Sequence, residues 1–558
     1  MPRLVLGPLL RHVKHTTATF WVETDSACTV EVRLPDIGRS ESTRTFCVGG
    51  HHYGLVMVED LEPATVSAYT VHVDDEQCWP DAASTLPPSY LRTLGGPEPL
   101  RVLVGSCRAA APHEPPWSLE PAIGTDRRGV DALRSHAIRM IAQPATEWPH
   151  LFVLIGDQVY ADDSSPKTRE RIEQRRDSDL PPEIVADFEE YTWLYEEAWS
   201  PEVERWALAN VPSVMMFDDH DMIDDWNISA AWVHDIRRQP WWNEHVVAGL
   251  VSYWIYQHLG NLSPDEIRAE GMLDKLLATD DGEPFMREWA QSSEEFTPVP
   301  GGYRFSVYRD LGRTRLVVID SRNGRVLTQG DRAMLDADEW AWVVEHAAVP
   351  CDHLMLATSL PVFVPGGLHD LQVWNEAVCD GRWGRYAARA GERLRRALDM
   401  EDWPAFRQSF DAFVELLRDI GTGRGPADGM DPPATVTVLS GDIHFSYRAR
   451  LTVPADPPVR SRLHQVVSSP IRNALTAPQR RAMRTGASRV GDVIARALRR
   501  SVRLPPSPVS IELENGPVFG NCMAELVFAD RTCRLRVEHA HSDDDGNPVF
   551  ALVTDVEL

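Results

Sequence analysis

Four short stretches of the chain concentrate residues that can hold metals: Gly105-Ser106-Cys107, Gly156-Asp157-Gln158-Val159-Tyr160, Asp218-Asp219-His220-Asp221 and Ser440-Gly441-Asp442-Ile443-His444. Each follows an apolar run, at 101–104, 151–155, 213–217 and 435–439. In α/β proteins ligands bind at the carboxyl ends of the strands. These ends would pool a thiol, a phenol, imidazoles and several carboxylates, which is an inventory of metal ligands. Carboxylates crowded at a strand end are costly unless a cation neutralises them. Thiolate and phenolate donors suit a highly charged transition metal, and an Asp-rich partner site suits Ca2+, Mn2+ or Zn2+. Singly, each stretch has a plainer explanation. Gly156-Asp157 fits a capped turn, Cys107 a small buried residue, Tyr160 a packed ring, His444 a core histidine and Asp218–Asp221 a solvated loop. Four strand ends that all carry ligand types point to a metal site instead.

Strands must deliver these residues, and the pattern of the chain supplies them. From about residue 100, apolar runs at 101–107, 151–157, 212–219, 314–322, 352–361, 435–444 and 464–470 alternate with amphipathic segments such as 129–142, 186–209 and 390–418. That alternation predicts an α/β domain. Residues 1–96 show short strand-like runs at roughly 8–12-residue spacing, the pattern of a β-sandwich. Its Leu-x-Pro turn before a Tyr-bearing strand resembles a fibronectin type III or immunoglobulin-like module, and Gly95-Gly96-Pro97 punctuates its end. After Pro505-Pro506-Ser507-Pro508 the chain returns to β character. The expected division is therefore 1–96, 97–508 and 509–558, with the last segment adding strands to the α/β domain.

The 558 residues carry 83 Asp+Glu against 56 Lys+Arg, a net charge of −27, and 43% are hydrophobic. The apolar share supports a folded core and excludes a disordered, collagen-like or coiled-coil chain. The acidity argues against long nucleic acids, whose phosphates need a basic footprint. Eight cysteines form no Cys-x-x-Cys pair, so no zinc ribbon is expected. The first apolar run is broken by Gly7, Pro8 and Arg11, and no stretch reaches 18 apolar residues. The chain reads as soluble and cytoplasmic, without a transmembrane segment, and export stays open if a leader has been lost.

Taken in order, GSC, GDQVY, DDHD and SGDIH resemble the motifs of the alkaline phosphatase D (PhoD-like) family. IDSRNGR (319–325), TSLPVF (358–363) and SSPIRN (468–473) add to the resemblance. That family belongs to the calcineurin-like metallophosphoesterases. The resemblance implies a four-layer α/β/β/α core behind an N-terminal β-sandwich. It implies a metal-dependent phosphoesterase that hydrolyses phosphomonoesters, phosphodiesters or both through a metal-bridging hydroxide. Asp157 would bridge two metals, with Cys107 and Tyr160 on a ferric ion (Fe3+). Asp219 would serve the second metal, expected to be Ca2+, with Mn2+ or Zn2+ as alternatives. Asp442 and His444 would complete the shells. His220 would face the phosphate and stabilise the transition state or protonate the leaving oxygen. Asp221 would orient His220 or cap the loop. Ser106-Cys107 stands where the wider superfamily shows Asp-x-His, a departure that points to the PhoD branch. The implied partners are a small phosphate ester and the phosphate product.

Arg322 either clamps a phosphate bidentately or pairs with a carboxylate. Ser321 lacks the Gly-x-Ser-x-Gly elbow of a nucleophile. Segment 472–503 holds nine Arg and one Asp, a net of +8 in an acidic chain. It reads as a solvated helix paired with acidic neighbours, or as a basic face that steers anionic substrates or touches an anionic membrane. Trp226, Trp232, Trp241, Trp242, Trp374, Trp383 and Trp403 are either packing or the wall of an ester pocket. Two further classes compete. A glycosidase-like hydrolase with paired carboxylates would not need Cys107, Tyr160 or His444. A binding protein on a degenerate core would have lost ligands. Oligomeric state is left open.

Overall fold

Buried strands of an α/β core read as continuous apolar runs because both faces are covered, and the run Thr314–Ile319 shows how. In the computed structural model Leu316 and Val318 join one hydrophobic cluster, whereas Val317 and Ile319 join another. Met355 and Ala357 alternate in the same way with Leu354 and Leu356. A strand's side chains alternate between faces, so each of these strands has one face against a second sheet and one against helices. The structure describes all residues except 97–98, 296–302, 426–427, 487–488 and 544–545. Pro97, at the expected end of the first module, therefore lies outside the described residues.

The first core sheet has six strands in the order Ser213–Met215, Leu151–Leu154, Leu100–Gly105, Cys522–Ala529, Thr532–Ser542 and Pro548–Glu557. Its first three strands are parallel, and the C-terminal three add antiparallel to Leu100–Gly105. The second has seven strands in the order Val307–Leu311, Thr314–Ile319, His353–Thr358, Thr435–Ser440, Arg462–Val467, Ser446–Thr452 and Ser510–Val518. Its central strands, from Thr314–Ile319 to Arg462–Val467, are parallel. Val102, Val104, Met523 and Leu526 of the first sheet share a cluster with Met355, Leu439 and Val466 of the second. Helices Ala337–Ala347 and Arg407–Thr422 cover the outer face of the second sheet through Val343, Phe410, Phe413 and Leu417. The architecture is α/β, with the two sheets packed face to face.

The N-terminal residues form two antiparallel four-stranded sheets. One runs Leu4–Val13, Ala18–Thr24, His51–Val58, Phe46–Val48; the other runs Arg39–Arg44, Thr29–Leu34, Thr70–Val73, Glu76–Trp79. Phe20, Val22, Val30, Val32, Val56 and Val71 pack between them. This module is locked to the core by polar contacts. The buried Arg11 donates to the Gln257 carbonyl (2.6 Å) and to Asn261 Oδ1 (3.1 Å), and Tyr69 donates to the Ala209 carbonyl (2.6 Å). Gln257 lies in a π-helical turn, Trp254–His258. Such turns re-aim side chains inside helices, and here the Gln257 amide reaches Asp221 beneath the site loop, at 2.9 Å.

Candidate metal centre

The site residues sit on unusual backbone. Cys107 (φ 58°), Asp157 (φ 46°), Asp442 (φ 64°) and His444 (φ 55°) are all left-handed. This conformation is uncommon for residues other than glycine, and it persists only where the surroundings hold it. Each of these residues lies just past a parallel strand, where the chain turns sharply to aim its side chain along the sheet edge. Two glycines make the approach possible. A Cβ on Gly156 (φ 97°) would collide with the Asp218 carboxylate, and one on Gly441 would collide with Ser106 Oγ. The Arg108 amide donates to the Asp157 carbonyl at 2.9 Å, tying the first two strand ends together.

Asp157 is the centre of the constellation. It forms one group with Cys107 and His444, a second with Asp219 and His220, and a third with Asp218, Asp219 and Asp442; within each group the donor atoms lie within 4.8 Å of one another. The Tyr160 hydroxyl is 3.3 Å from Asp157 Oδ2, and its ring centroid is 4.5 Å from that of His220. The six residues expected to ligate metals thus converge in one place, as two lobes that share Asp157. Asp157 Oδ1 and Asp218 Oδ2 are buried with no hydrogen-bond donor. Buried acceptors left bare are costly, and a cation is the partner that carboxylates in this position fit. Burial, then the repulsion of Asp218, holds the Asp157 carboxyl well above its usual range, and burial raises Asp218 to about 6. Burial and nearby carboxylates likewise push up the Cys107 thiol and the Tyr160 phenol, and burial holds His444 neutral, down to about 3. Positive charge in the two lobes would reverse the shifts of the acids and leave His444 a neutral nitrogen donor.

His220 borders the shared carboxylate. Burial disfavours its imidazolium, yet Asp162 and then Asp157 and Asp219 outweigh this and hold its pKa well above the ordinary histidine value. The residue that orients it is Asp162, whose Oδ1 is 2.7 Å from Nδ1, while the Asp224 amide fixes the other Asp162 oxygen at 2.7 Å. Of the two roles expected for Asp221, the geometry matches the loop cap and not the orientation of His220. Its two oxygens accept from Gln257 Nε2 (2.9 Å) and the Asp218 amide (3.1 Å), pointing away from His220, and burial raises it to about 8. The chain turns between His220 and Asp221, so neighbours in sequence face opposite ways.

Arg322 is corrected as well. It is fully buried, and its three nitrogens pair with Asp218 (2.6 Å), Glu401 (2.5 Å), Asp442 (2.8 Å) and Asp219 (3.1 Å). It is an ion-pair hub below the carboxylates, with no nitrogen left to clamp a phosphate. Arg325 shares Glu401 at 2.8 Å. Asp162, Glu401 and the supporting role of Asp218 were not read from the sequence. Asp218 stood inside a quoted motif, but Asp162 and Glu401 carry no strand-end signal. Near Tyr160, Arg128 donates to Asn473 Oδ1 at 2.9 Å.

A fourth group, His113, Asp131 and Glu204, is already neutralised by Arg108 and Arg134, at 2.9 Å each. Within 472–503, Arg472 is buried against the carbonyls of Ala111, Pro112 and Gly129, while Arg480 pairs with Glu120 and Arg499 with Asp370. The ring centroids of Trp226, Trp232, Trp241 and Trp242 lie about 6 Å apart in one packed cluster, and Trp403 is wholly buried, donating to Thr358 Oγ1. These tryptophans are packing. All eight cysteines are free.

Residues 1–91 match a family model described as a domain of unknown function (DUF7800), and residues 134–261 match the PhoD-like phosphatase family. No curated protein matches the chain. A solved structure of PhoD aligns over 99% of this chain and 88% of its own, with a TM-score of 0.56 at 12% identity. A purple acid phosphatase isolated from yellow lupin (Lupinus luteus) seeds aligns over 97% of this chain and 73% of its own, with a TM-score of 0.46 at 11% identity. The family match spans Asp157, Tyr160, Asp218, Asp219 and His220, where the two lobes meet, and the alignment with PhoD shows a shared fold.

Proposed function

We propose that the chain hydrolyses small phosphate monoesters, diesters or both at a two-metal site. The observation that carries this is the shared Asp157, buried between a thiol–phenol–imidazole lobe and a carboxylate lobe, with a bare oxygen. Cys107, Tyr160, His444 and Asp157 would hold the harder, more highly charged ion, for which Fe3+ is the best match to anionic thiolate and phenolate donors. Asp157, Asp218, Asp219 and Asp442 would hold a divalent ion that accepts oxygen ligands, Ca2+ first and Mn2+ or Zn2+ next. When bound, such a pair supplies an activated water and charge stabilisation for phosphoryl transfer.

The rest of the chemistry falls to side chains. His220, locked through Nδ1 by Asp162, presents Nε2 to the substrate side. In its protonated form it donates to a phosphoryl oxygen or passes its proton to the leaving oxygen. Arg322 holds the carboxylates in register from below, which keeps their oxygens aimed at the cations. Residues 1–96 brace the site loop through Gln257, and 509–558 complete the sheets that carry it. Elemental analysis with hydrolysis of p-nitrophenyl phosphate and bis-p-nitrophenyl phosphate, before and after chelation, tests the reading. Asp157→Asn is expected to lose both ions and all but a trace of activity. Full activity after exhaustive chelation, or in Asp157→Asn, would overturn it.

A further inference from the structure

A second cluster of arginines lies outside 472–503. Several arginines of that segment are spent on internal contacts, as described above. Between residues 382 and 393 lie four arginines and one glutamate. The glutamate, Glu392, faces the protein, where it contacts Ser229 and Arg395. Arg382, Arg385, Arg389 and Arg393 are all exposed, and none forms an ion pair with a described residue. In a chain with 27 excess negative charges, four unpaired arginines in a row on one surface stand out physically, because carboxylate partners are abundant everywhere else.

Helix Arg385–Ala397 explains the arrangement. Its Ala387 and Leu394 pack on Trp374 and Val378 of helix Gly366–Cys379, so its inner face is used. Arg385, Arg389 and Arg393 recur every four residues and line the opposite side, since i and i+4 share a helix face. Trp383 (48% exposed) and Tyr386 (70% exposed) stand among them, and Arg385 lies over the Tyr386 ring at 4.8 Å. Helix Arg489–Ser501 covers the same helix Gly366–Cys379 and exposes Val493 and Ile494. Exposed Trp and Tyr beside Arg suit the headgroup region of a bilayer, where amphipathic rings settle and cations meet anionic lipid. A single nucleic-acid strand is bound instead in a groove with stacking platforms. Helix Arg385–Ala397 leads through Asp399 and Met400 to Glu401, which pairs with Arg322 at the metal centre.

We propose that the outer face of helix Arg385–Ala397, with Trp383, docks on an anionic lipid membrane. This rests on charge and exposure alone and does not depend on which ester is hydrolysed. Each arginine near an anionic leaflet is worth about fivefold in partition, so losing three costs about 100-fold. The test is co-sedimentation of the full chain with phosphatidylcholine vesicles, with and without phosphatidylglycerol, at low and high salt. Binding is expected only with phosphatidylglycerol and is expected to fall steeply with salt. Arg385→Gln/Arg389→Gln/Arg393→Gln is expected to lose about 100-fold in partition, and Trp383→Ser/Tyr386→Ser a smaller factor, both with unchanged hydrolysis of p-nitrophenyl phosphate in solution. No binding to phosphatidylglycerol vesicles at low salt would overturn the proposal. So would unchanged binding by the triple variant, or a single-stranded oligonucleotide that binds through these arginines more tightly than the vesicles.

Discussion

Arg322 offers the sharpest test of the site, because its two possible roles predict opposite behaviour. The guanidinium is wholly buried and contacts four carboxylates, from Asp218, Asp219, Asp442 and Glu401. Replacing it by Met removes the cation and leaves those carboxylates facing one another in a site of low dielectric. Breaking a buried ion pair by removing one partner costs about 3–5 kcal/mol. For a chain of 558 residues that corresponds to a fall in Tm of about 3–4 °C. Arg322→Lys keeps the charge but cannot reach all four carboxylates from one ammonium, so it recovers less than half of the loss. The assay is thermal unfolding followed by near-UV circular dichroism, with excess divalent metal present so that metal loss does not limit stability. Steady-state kinetics on p-nitrophenyl phosphate run alongside. A structural hub predicts lower Tm and lower kcat, with KM changed by less than about threefold. A Tm within a degree of the parent together with a KM raised tenfold or more would mean that Arg322 grips the substrate phosphate, and the reasoning above would be wrong.

Three further outcomes follow from the same geometry. Asp162→Asn is expected to lower kcat about 10–100-fold with little change in KM, because the imidazole loses the charge that holds it; Asp221→Asn, which does not reach His220, is expected to stay within about threefold of the parent kcat, and the reverse ranking would restore Asp221 as the orienting residue. His51 of the N-terminal module lies 2.9 Å from both Glu23 and Glu189; burial opposes its charge, but the two carboxylates raise it from 6.5 to about 9. A histidine raised on folding adds stability that is complete below about pH 6.5 and lost as pH rises through 9, about 1–2 kcal/mol after allowing for partial exposure; urea unfolding across pH 6–10 is expected to show that slope in the parent and not in His51→Gln. Gly156→Ala is expected to abolish folded protein or metal binding, since its Cβ collides with Asp218 on a left-handed backbone; recovery of a protein with parental metal content would contradict the strained turn.

Much of the centre was legible in the sequence. Cys107, Asp157, Tyr160, Asp219, His220, Asp442 and His444 all lie within a few residues of apolar runs. Parallel strands deliver their carboxyl ends to the same side of their sheet whatever the detail of the loops, and here the two sheets meet at those ends. The alternation of apolar runs with amphipathic segments also predicted an α/β domain, and the spacing of the first ninety residues predicted a β module. What only the tertiary structure decided depends on side-chain direction and on contacts distant in sequence. Asp162 rather than Asp221 meets His220 because the chain turns between His220 and Asp221. Arg322 is a buried hub because Glu401, some eighty residues later, folds beneath it. Within 472–503, Arg472 is buried on carbonyls and Arg480 and Arg499 pair with Glu120 and Asp370, because charge in a sequence counts only after ion pairs are formed, and pairing is settled by which residues the fold brings within reach.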